Sequence, residues 1–297
     1  MSYIGRFAPS PSGPLHFGSL VAAIGSWLDA KANNGQWLVR VEDLDPPREM
    51  SGAIPIILNS LEAHGLNWDS DIMYQSQRLK QYDEILTELS SQHLYACSCT
   101  RKDIRATNGL HRRCDSGNTL DLSTKDVAWR LKVDNNPNQF DDLFHGPQSY
   151  SAARANEDYI LKRKDGLHAY MLAVVADDIE QNISHIVRGA DLLDTSCQQI
   201  YLFKLLTGQA PRFGHLPMAM KNAQQKLSKQ THAPALIDSD ALNNIKQALL
   251  FLKQDIPTDV ADYQVDELLS WASQHWQPER FSGQYETIVQ RTVKTDD

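Results

Sequence analysis

Along the chain, blocks that alternate apolar and polar positions give way to blocks in which apolar residues recur every three or four positions. Residues 3–8 read as a short strand ending at Pro9, and Pro9, Pro11, Gly13 and Pro14 make a stiff loop. From Gly18 the spacing is helical, with Leu20, Ile24, Trp27 and Leu28 on one face. An Asn34-Gly35 turn leads to a buried-type strand over residues 37–41. Strand, helix and strand in that order make a βαβ unit, so the pattern predicts an α/β fold with a parallel sheet. Further helices are expected over residues 54–64 and through Leu79, Tyr82, Leu86 and Leu89. An irregular, cysteine-bearing stretch follows. Residues 129–133, 158–162 and 183–187 read as strands, residues 171–176 are apolar without a clear period, and residues 191–206 read as a helix. After Lys229 two more helices are expected, through Leu242, Ile245, Leu249 and Leu252 and through Val265, Leu268, Leu269 and Ala272. The polar end of the chain is expected to fray.

Composition narrows the class. The 297 residues, 41% hydrophobic and 22% charged, describe an ordinary globular protein with a sizeable core. No apolar run has the length of a membrane span and no signal-peptide layout opens the chain, so the expectation is a cytoplasmic protein without a membrane partner. A monomer is the simplest assembly. The net charge of −8 argues mildly against a nucleic-acid partner, yet basic residues gather locally at Arg101, Lys102, Arg105, Arg112 and Arg113 and again at 162–164. These are either an electrostatic face or two solvated loops. Three of the four cysteines fall between positions 97 and 114, a grouping that points to a metal rather than to bridges.

Two segments carry candidate phosphate chemistry. The loop Pro11-Ser12-Gly13-Pro14-Leu15-His16-Phe17-Gly18-Ser19 opens a helix after a strand. A helix N-terminus offers unpaired N–H groups and the positive end of a dipole, Gly18 lets a nucleotide approach the backbone, and His16 can donate to a phosphate. The alternative is a proline-rich loop with an incidental histidine. Far downstream, Lys226-Leu227-Ser228-Lys229-Gln230 sets two lysines around a hydroxyl, as mobile charges able to bracket a triphosphate or simply as a basic surface loop.

Together with Arg6-Phe7-Ala8-Pro9-Ser10-Pro11-Ser12-Gly13, Arg40-Val41-Glu42-Asp43 and Val187-Arg188-Gly189-Ala190-Asp191, these segments closely resemble the glutamyl branch of class I aminoacyl-tRNA synthetases, from about residue 3 to residue 230. His16-Phe17-Gly18-Ser19 stands where that family has an HIGH-type element, with Ser19 in place of the second histidine. Lys226 to Gln230 stands where it has a KMSKS-type element. The resemblance implies a Rossmann-like catalytic domain, ATP carried with Mg²⁺, and catalytic roles for His16 and Lys229 at the ATP phosphates. Gly18, Ser19, Lys226 and Ser228 join them in the ATP site. It implies that L-glutamate is bound by Arg6, Ala8, Ser10, Glu42, Tyr170 and Arg188. Charge agrees: arginine grips carboxylates, so Arg6 and Arg188 suit the two carboxylates of glutamate and Glu42 its ammonium.

The cysteine stretch, Cys97-Ser98-Cys99 then His111-Arg112-Arg113-Cys114, offers three thiolates and an imidazole, a familiar zinc set. Similar short glutamyl enzymes place a tyrosine ligand four before the last cysteine, where this chain has Leu110. The fourth ligand is therefore His111, Tyr95 or water, and Cys97, Cys99 and Cys114 supply the rest. Cys197 reads as a core residue. The expected partition is 1–95 and 151–230 for the two halves of the catalytic domain, 96–150 for a zinc-bearing insert, and 231–297 for a small helical appendage. In the resemblance, residues 231–297 are too few for a separate anticodon-binding domain. The chain is similar to a truncated subgroup whose acceptor is the queuosine at the wobble position of tRNA(Asp), rather than a tRNA 3′ end. A compact conventional glutamyl enzyme, a non-catalytic glutamate- or tRNA-binding paralogue and a different nucleotidyltransferase are the rival readings.

Overall fold

The computed structural model describes residues 2–106, 109–114, 126–222, 224–227 and 233–289. Its first unit is β1 (Ile4–Phe7), α1 (Phe17–Ala32) and β2 (Gln36–Val41), with β1 and β2 parallel from Ile4 opposite Gln36 to Phe7 opposite Val39. Next, α2 (Ala53–Ala63) precedes β3 (Met73–Tyr74), which extends that sheet beside Arg40 and Val41. Then α3 (Leu79–His93) runs into β4 (Leu94–Cys97), α4 (Arg101–Arg105) and β5 (Ala128–Leu131). A hairpin of β6 (Gln139–Asp142) and β7 (Gly146–Ser149) follows, with α5 (Ala152–Ala155) and β8 (Ile160–Lys162) after it. The second crossover is α6 (Tyr170–Glu180), β9 (His185–Gly189), α7 (Ser196–Thr207) and β10 (Arg212–Leu216), with β9 and β10 parallel throughout. The chain continues through β11 (Met218–Asn222), β12 (Gln225–Lys226), α8 (Ala241–Phe251), α9 (Val265–Gln274) and β13 (Glu286–Ile288).

Sheet order is β3-β2-β1 on one side and β9-β10-β6-β7 on the other. The two meet where Ile4 N–H donates to Ser184 Oγ and Ser184 N–H donates to Ile4 O. A separate antiparallel sheet joins β4, β5 and β8, and a third joins β12, β11 and β13. The apolar run at residues 171–176 lies inside α6. The helix expected from residue 191 begins as a 3-10 stretch, Ala190–Thr195, before α7. The polar end, expected to fray, supplies β13 because β11 offers it a ladder of backbone partners; residues 290–297 lie outside the described residues.

Side-chain alternation along the strands builds two cores. Phe7, Trp37 and Val39 face α1, where Leu20, Ile24 and Leu28 meet Ile245 and Leu249 of α8 and Leu268 of α9. Leu38 points the other way, with Tyr82, Leu86, Leu172, Ile186 and Phe213. The helices after residue 240 thus share the core of the first βαβ unit. Among the described residues no helix is long and apolar enough to cross a membrane.

Arg6 and Arg40 leave the same face as Leu38, into the interior. Both reach Asp178 of α6: Arg6 through Nε (3.0 Å) and Nη2 (3.1 Å), Arg40 through Nη1 (2.8 Å). Neighbouring Asp177 takes Arg78 (2.7 Å), Gln75 (2.7 Å) and Tyr82. Burial pushes the Asp178 carboxyl up, but Arg40 and Arg6 outweigh it and hold its pKa below the ordinary carboxylate value. Removing one member of a buried pair strands a charge. Asp178→Ala is therefore expected to lower the unfolding free energy by about 3–5 kcal/mol, read as a lower urea midpoint. Because folding depresses this pKa, the contribution is full above the ordinary value and lost as pH falls through the depressed one. An unchanged midpoint at neutral pH would contradict the role.

Candidate active site and metal centre

His16 is the N-cap of α1. Its Nδ1 accepts the Ser19 N–H (3.2 Å), while Ser19 Oγ accepts the His16 N–H (2.8 Å) and donates to His16 O. An accepting Nδ1 puts the imidazole proton on Nε2. Ser19, in the position of a second histidine, therefore caps the helix and sets the tautomer of the first.

The second phosphate-type segment comes to the same place. A Cβ on Gly18 would stand 3.4 Å from Leu227 O and 3.1 Å from the His16 ring, so the glycine allows the two segments to meet. Leu227 N–H donates to Ala219 O of β11, whereas Leu236 N–H donates to Leu15 O and His16 bridges to Ala235, so the chain beyond the lysine segment is stitched to the α1 loop. Lys226 pairs with Asp191, which follows Arg188 by three residues. Ser228 and Lys229 lie outside the described residues.

At the C-terminal ends of β1 and β2, Glu42 N–H donates to Pro9 O, which seats Glu42 beside the loop that holds Ala8 and Ser10. Glu42 Oε1 is buried without a hydrogen-bond partner, and its nearest cation is Arg40 Nη2 at 3.7 Å. Burial raises the Glu42 pKa to about 7, against the pull of Arg40 and Arg6. Tyr170 opens α6, partly exposed, with its hydroxyl in the fields of Arg188, Glu42 and Arg6. The two arginines differ. Arg6 is 4% exposed and forked onto Asp178. Arg188 is 5% exposed, but its partners are neutral: Gln199 Oε1 (2.6 Å), Ser196 Oγ (2.8 Å), Leu192 O (3.1 Å) and His215 Nε2 (3.2 Å). Among the described residues no carboxylate lies within ion-pair distance of it. A buried guanidinium in that state calls for an anionic ligand.

Sequence reasoning missed Asp177, Asp178, Asp142 and His215. One signal was available for the first two: arginines in buried-type strands need partners, and Asp177-Asp178 are acids within an apolar helical run.

The four metal-type residues also converge. Cys97 ends β4, Cys99 follows it, and His111 and Cys114 come from the loop after α4, which Thr100 and Asp103 cap reciprocally. The four ligand atoms lie within 4.8 Å of one another, close to the about 3.8 Å edge of a tetrahedron with 2.3 Å metal–sulfur bonds. His111 Nε2 faces Cys97 Sγ at 3.4 Å, and its Nδ1 is 3.1 Å from Tyr95 Oη. Tyr95 Oη itself donates to Asp158 Oδ2 (2.9 Å). Tyr95 thus stands behind the histidine and steers it, as outer partners of metal-binding imidazoles do. Burial, then Arg130, lowers the His111 pKa and keeps it neutral. Burial and the neighbouring thiols push Cys99 up to about 12, a repulsion that a bound cation relieves. The cluster can hold a metal ion. Cys197 is buried in α7.

A model of the catalytic domain of class I tRNA synthetases (E and Q) matches residues 4–250. The chain belongs to that family. A "Glutamyl-Q tRNA(Asp) synthetase" of Vibrio cholerae is 50% identical over 93% of this synthetase and 91% of its own length. One of Klebsiella pneumoniae with the same name is 50% identical over 93% and 94%. Among solved structures, a glutamate-tRNA synthetase from Elizabethkingia anophelis superposes with a TM-score of 0.77 at 21% identity, covering 97% of this synthetase and 68% of that chain. A glutamate tRNA ligase from Elizabethkingia meningosepticum, solved with its amino acid, gives 0.77 at 21% identity over 98% and 67%. These likenesses show the α/β fold of the class I catalytic domain.

Elemental analysis of the purified synthetase is expected to find one divalent metal ion per chain. Cys97→Ser is expected to lose it and to melt several degrees lower. A metal-free wild type with an unchanged melting temperature in the variant would remove the site.

Proposed function

We propose that this synthetase activates L-glutamate with ATP and transfers it to the queuosine at the wobble position of tRNA(Asp). The supporting observation is the pairing of a buried Arg188 lacking a carboxylate partner with a Glu42 whose Oε1 is buried and lacks a hydrogen-bond partner. One calls for an anion and the other for an ammonium. The relatives that share half of the sequence across nine-tenths of the chain carry the name of that activity.

On this reading Arg6 and Arg188 take the two glutamate carboxylates and Glu42 the ammonium, with Ala8, Ser10 and Tyr170 shaping the pocket. His16 Nε2–H and Lys229 meet the ATP phosphates, helped by Gly18, Ser19, Lys226 and Ser228. A glutamate carboxylate oxygen attacks the α-phosphorus, the bond to the bridging oxygen breaks, and pyrophosphate leaves. A queuosine hydroxyl then attacks the carbonyl carbon of the mixed anhydride and AMP leaves. Mg²⁺ carried with ATP neutralises phosphate charge, and Zn²⁺ at Cys97, Cys99, His111 and Cys114 holds the insert's shape. The residues contribute positioning and charge. Glutamine is rejected because its neutral amide leaves a buried guanidinium without an anion. The reading includes a monomer acting in the cytoplasm. It takes 1–95 and 151–230 as the catalytic halves, 96–150 as the insert and 231–297 as the appendage.

Three measurements test it. Labelled glutamate is expected to attach to tRNA from queuosine-making cells and not to tRNA lacking queuosine; equal label on both pools, at the 3′ end, would make the acceptor a conventional one. Arg188→Ala is expected to abolish glutamate-dependent ATP–pyrophosphate exchange while the fold persists, whereas wild-type rates would remove the amino-acid assignment. The ammonium needs an ionised Glu42, which is charged above about 7 and neutral below. Glutamate affinity should therefore weaken as pH falls below that value, by up to about tenfold per unit. Glu42→Gln should flatten the profile, and an identical profile in that variant would exclude Glu42.

A further inference from the structure

Behind Arg188 lies a buried chain of polar groups to which neither the sequence nor the family motifs draw attention. His215 of β10 stands opposite Arg188 of β9 in the parallel ladder, and both its ring and the Asp142 side chain are closed to solvent. Asp142 Oδ2 is 2.5 Å from His215 Nδ1. Its other oxygen accepts the N–H groups of Phe144 (3.0 Å) and His145 (3.1 Å), so the carboxylate cannot turn away. Burial raises the Asp142 pKa, but the hydrogen bond from His215 and the two backbone donors bring the net shift below the ordinary carboxylate value. Burial also drives the His215 pKa down to about 4, so the ring is neutral.

A carboxylate only accepts, so the single imidazole proton sits on Nδ1 and Nε2 presents a lone pair. That lone pair meets the Arg188 Nε–H at 3.2 Å and lies 3.1 Å from Ser196 Oγ. Phe213 supports the guanidinium, 5.2 Å from its ring centroid. Had a carboxylate stood where the ring stands, Arg188 would be neutralised as Arg6 is by Asp178. The imidazole fixes the guanidinium plane and leaves its charge for the ligand.

We propose that Asp142 and His215 are positioning residues for Arg188, which set the selectivity for glutamate by presenting a lone pair, rather than a charge, to the guanidinium. The inference rests on the assignment of Arg188 to a glutamate carboxylate.

The first test needs no variant. In ¹⁵N-histidine-labelled wild type, the His215 resonances are expected to show a proton on Nδ1 and a bare Nε2 at neutral pH. A proton on Nε2, or on both nitrogens, would overturn the proposal.

The second test uses ATP–pyrophosphate exchange. Asp142→Asn keeps an oxygen for the Phe144 and His145 donors but turns an N–H toward Nδ1. The ring proton then moves to Nε2, against the Arg188 N–H. The KM for glutamate should rise about 10- to 100-fold, with the KM for ATP unchanged, kcat within about threefold and the preference for glutamate over glutamine reduced. His215→Gln beside the wild-type Asp142 can donate its amide N–H to the carboxylate and turn its oxygen to the Arg188 N–H, so it should lose much less glutamate affinity than Asp142→Asn. A merely structural role of the ring predicts at least as large a loss in His215→Gln, and that result would refute the positioning role. So would an unchanged glutamate KM in a folded Asp142→Asn. If wild type itself shows no glutamate-dependent exchange, the glutamate reading fails and takes this inference with it. Exchange in wild type with no effect of Asp142→Asn defeats this inference alone.

Discussion

Two arginines on adjacent parallel strands and one carboxylate on the helix that crosses them form the contact on which the rest of the structure depends. Arg6, Arg40 and Asp178 are all withdrawn from water. None could be buried alone, since an unpaired charge in the interior costs several kcal/mol. β1, β2 and α6 are therefore committed to one arrangement. Asp177, one residue earlier, extends the commitment to the turn at Gln75 and to Arg78 and Tyr82 at the head of α3. Two consecutive acids thereby fix α6 against β1, β2 and the head of α3. Tyr170 at the head of α6 and Glu42 at the end of β2 are carried to their places by that fixation.

The pocket this builds is electrostatically uneven. On one wall Arg6 is compensated before any ligand arrives, and on the other Arg188 rests on neutral acceptors. Glu42 sits between protonation states near neutrality. On the proposed reading, the uncompensated Arg188 serves an acid of the ligand, and Glu42, once ionised, its ammonium. Recognition then rests on charges the fold leaves open, as much as on the contacts it makes.

Much of this was legible in the residues, and the part that was not has physical causes. The first βαβ unit shows itself because its strands are apolar and its helix faces one core, so period and burial coincide. The loop at His16 and the cysteine grouping are legible because chemistry-bearing residues stand close together in sequence. The strands β6 and β10 are hard to see, since Gln139-Phe140-Asp141-Asp142 and Arg212-Phe213-Gly214-His215-Leu216 place polar groups inward, where they pair with each other and with Arg188. Buried polar networks break the alternation by which strands are recognised. β13 is hidden for another reason: its place is set by backbone pairing with β11, which leaves no mark on the side-chain pattern. The fourth metal-type ligand was open on spacing, and the bond from Tyr95 to Asp158 is the detail that turns the tyrosine into a support for His111.

Arg6 and Asp178 are 172 residues apart in the chain. During synthesis the arginine leaves the ribosome long before its counter-charge exists, so the first βαβ unit emerges with a cation it cannot yet bury. Closing so large a loop is slow and entropically unfavourable compared with local pairing. The ion pair that buries Arg6 therefore cannot form until α6 is made. A nascent chain that ends before that helix lacks the carboxylate that Arg6 and Arg40 share.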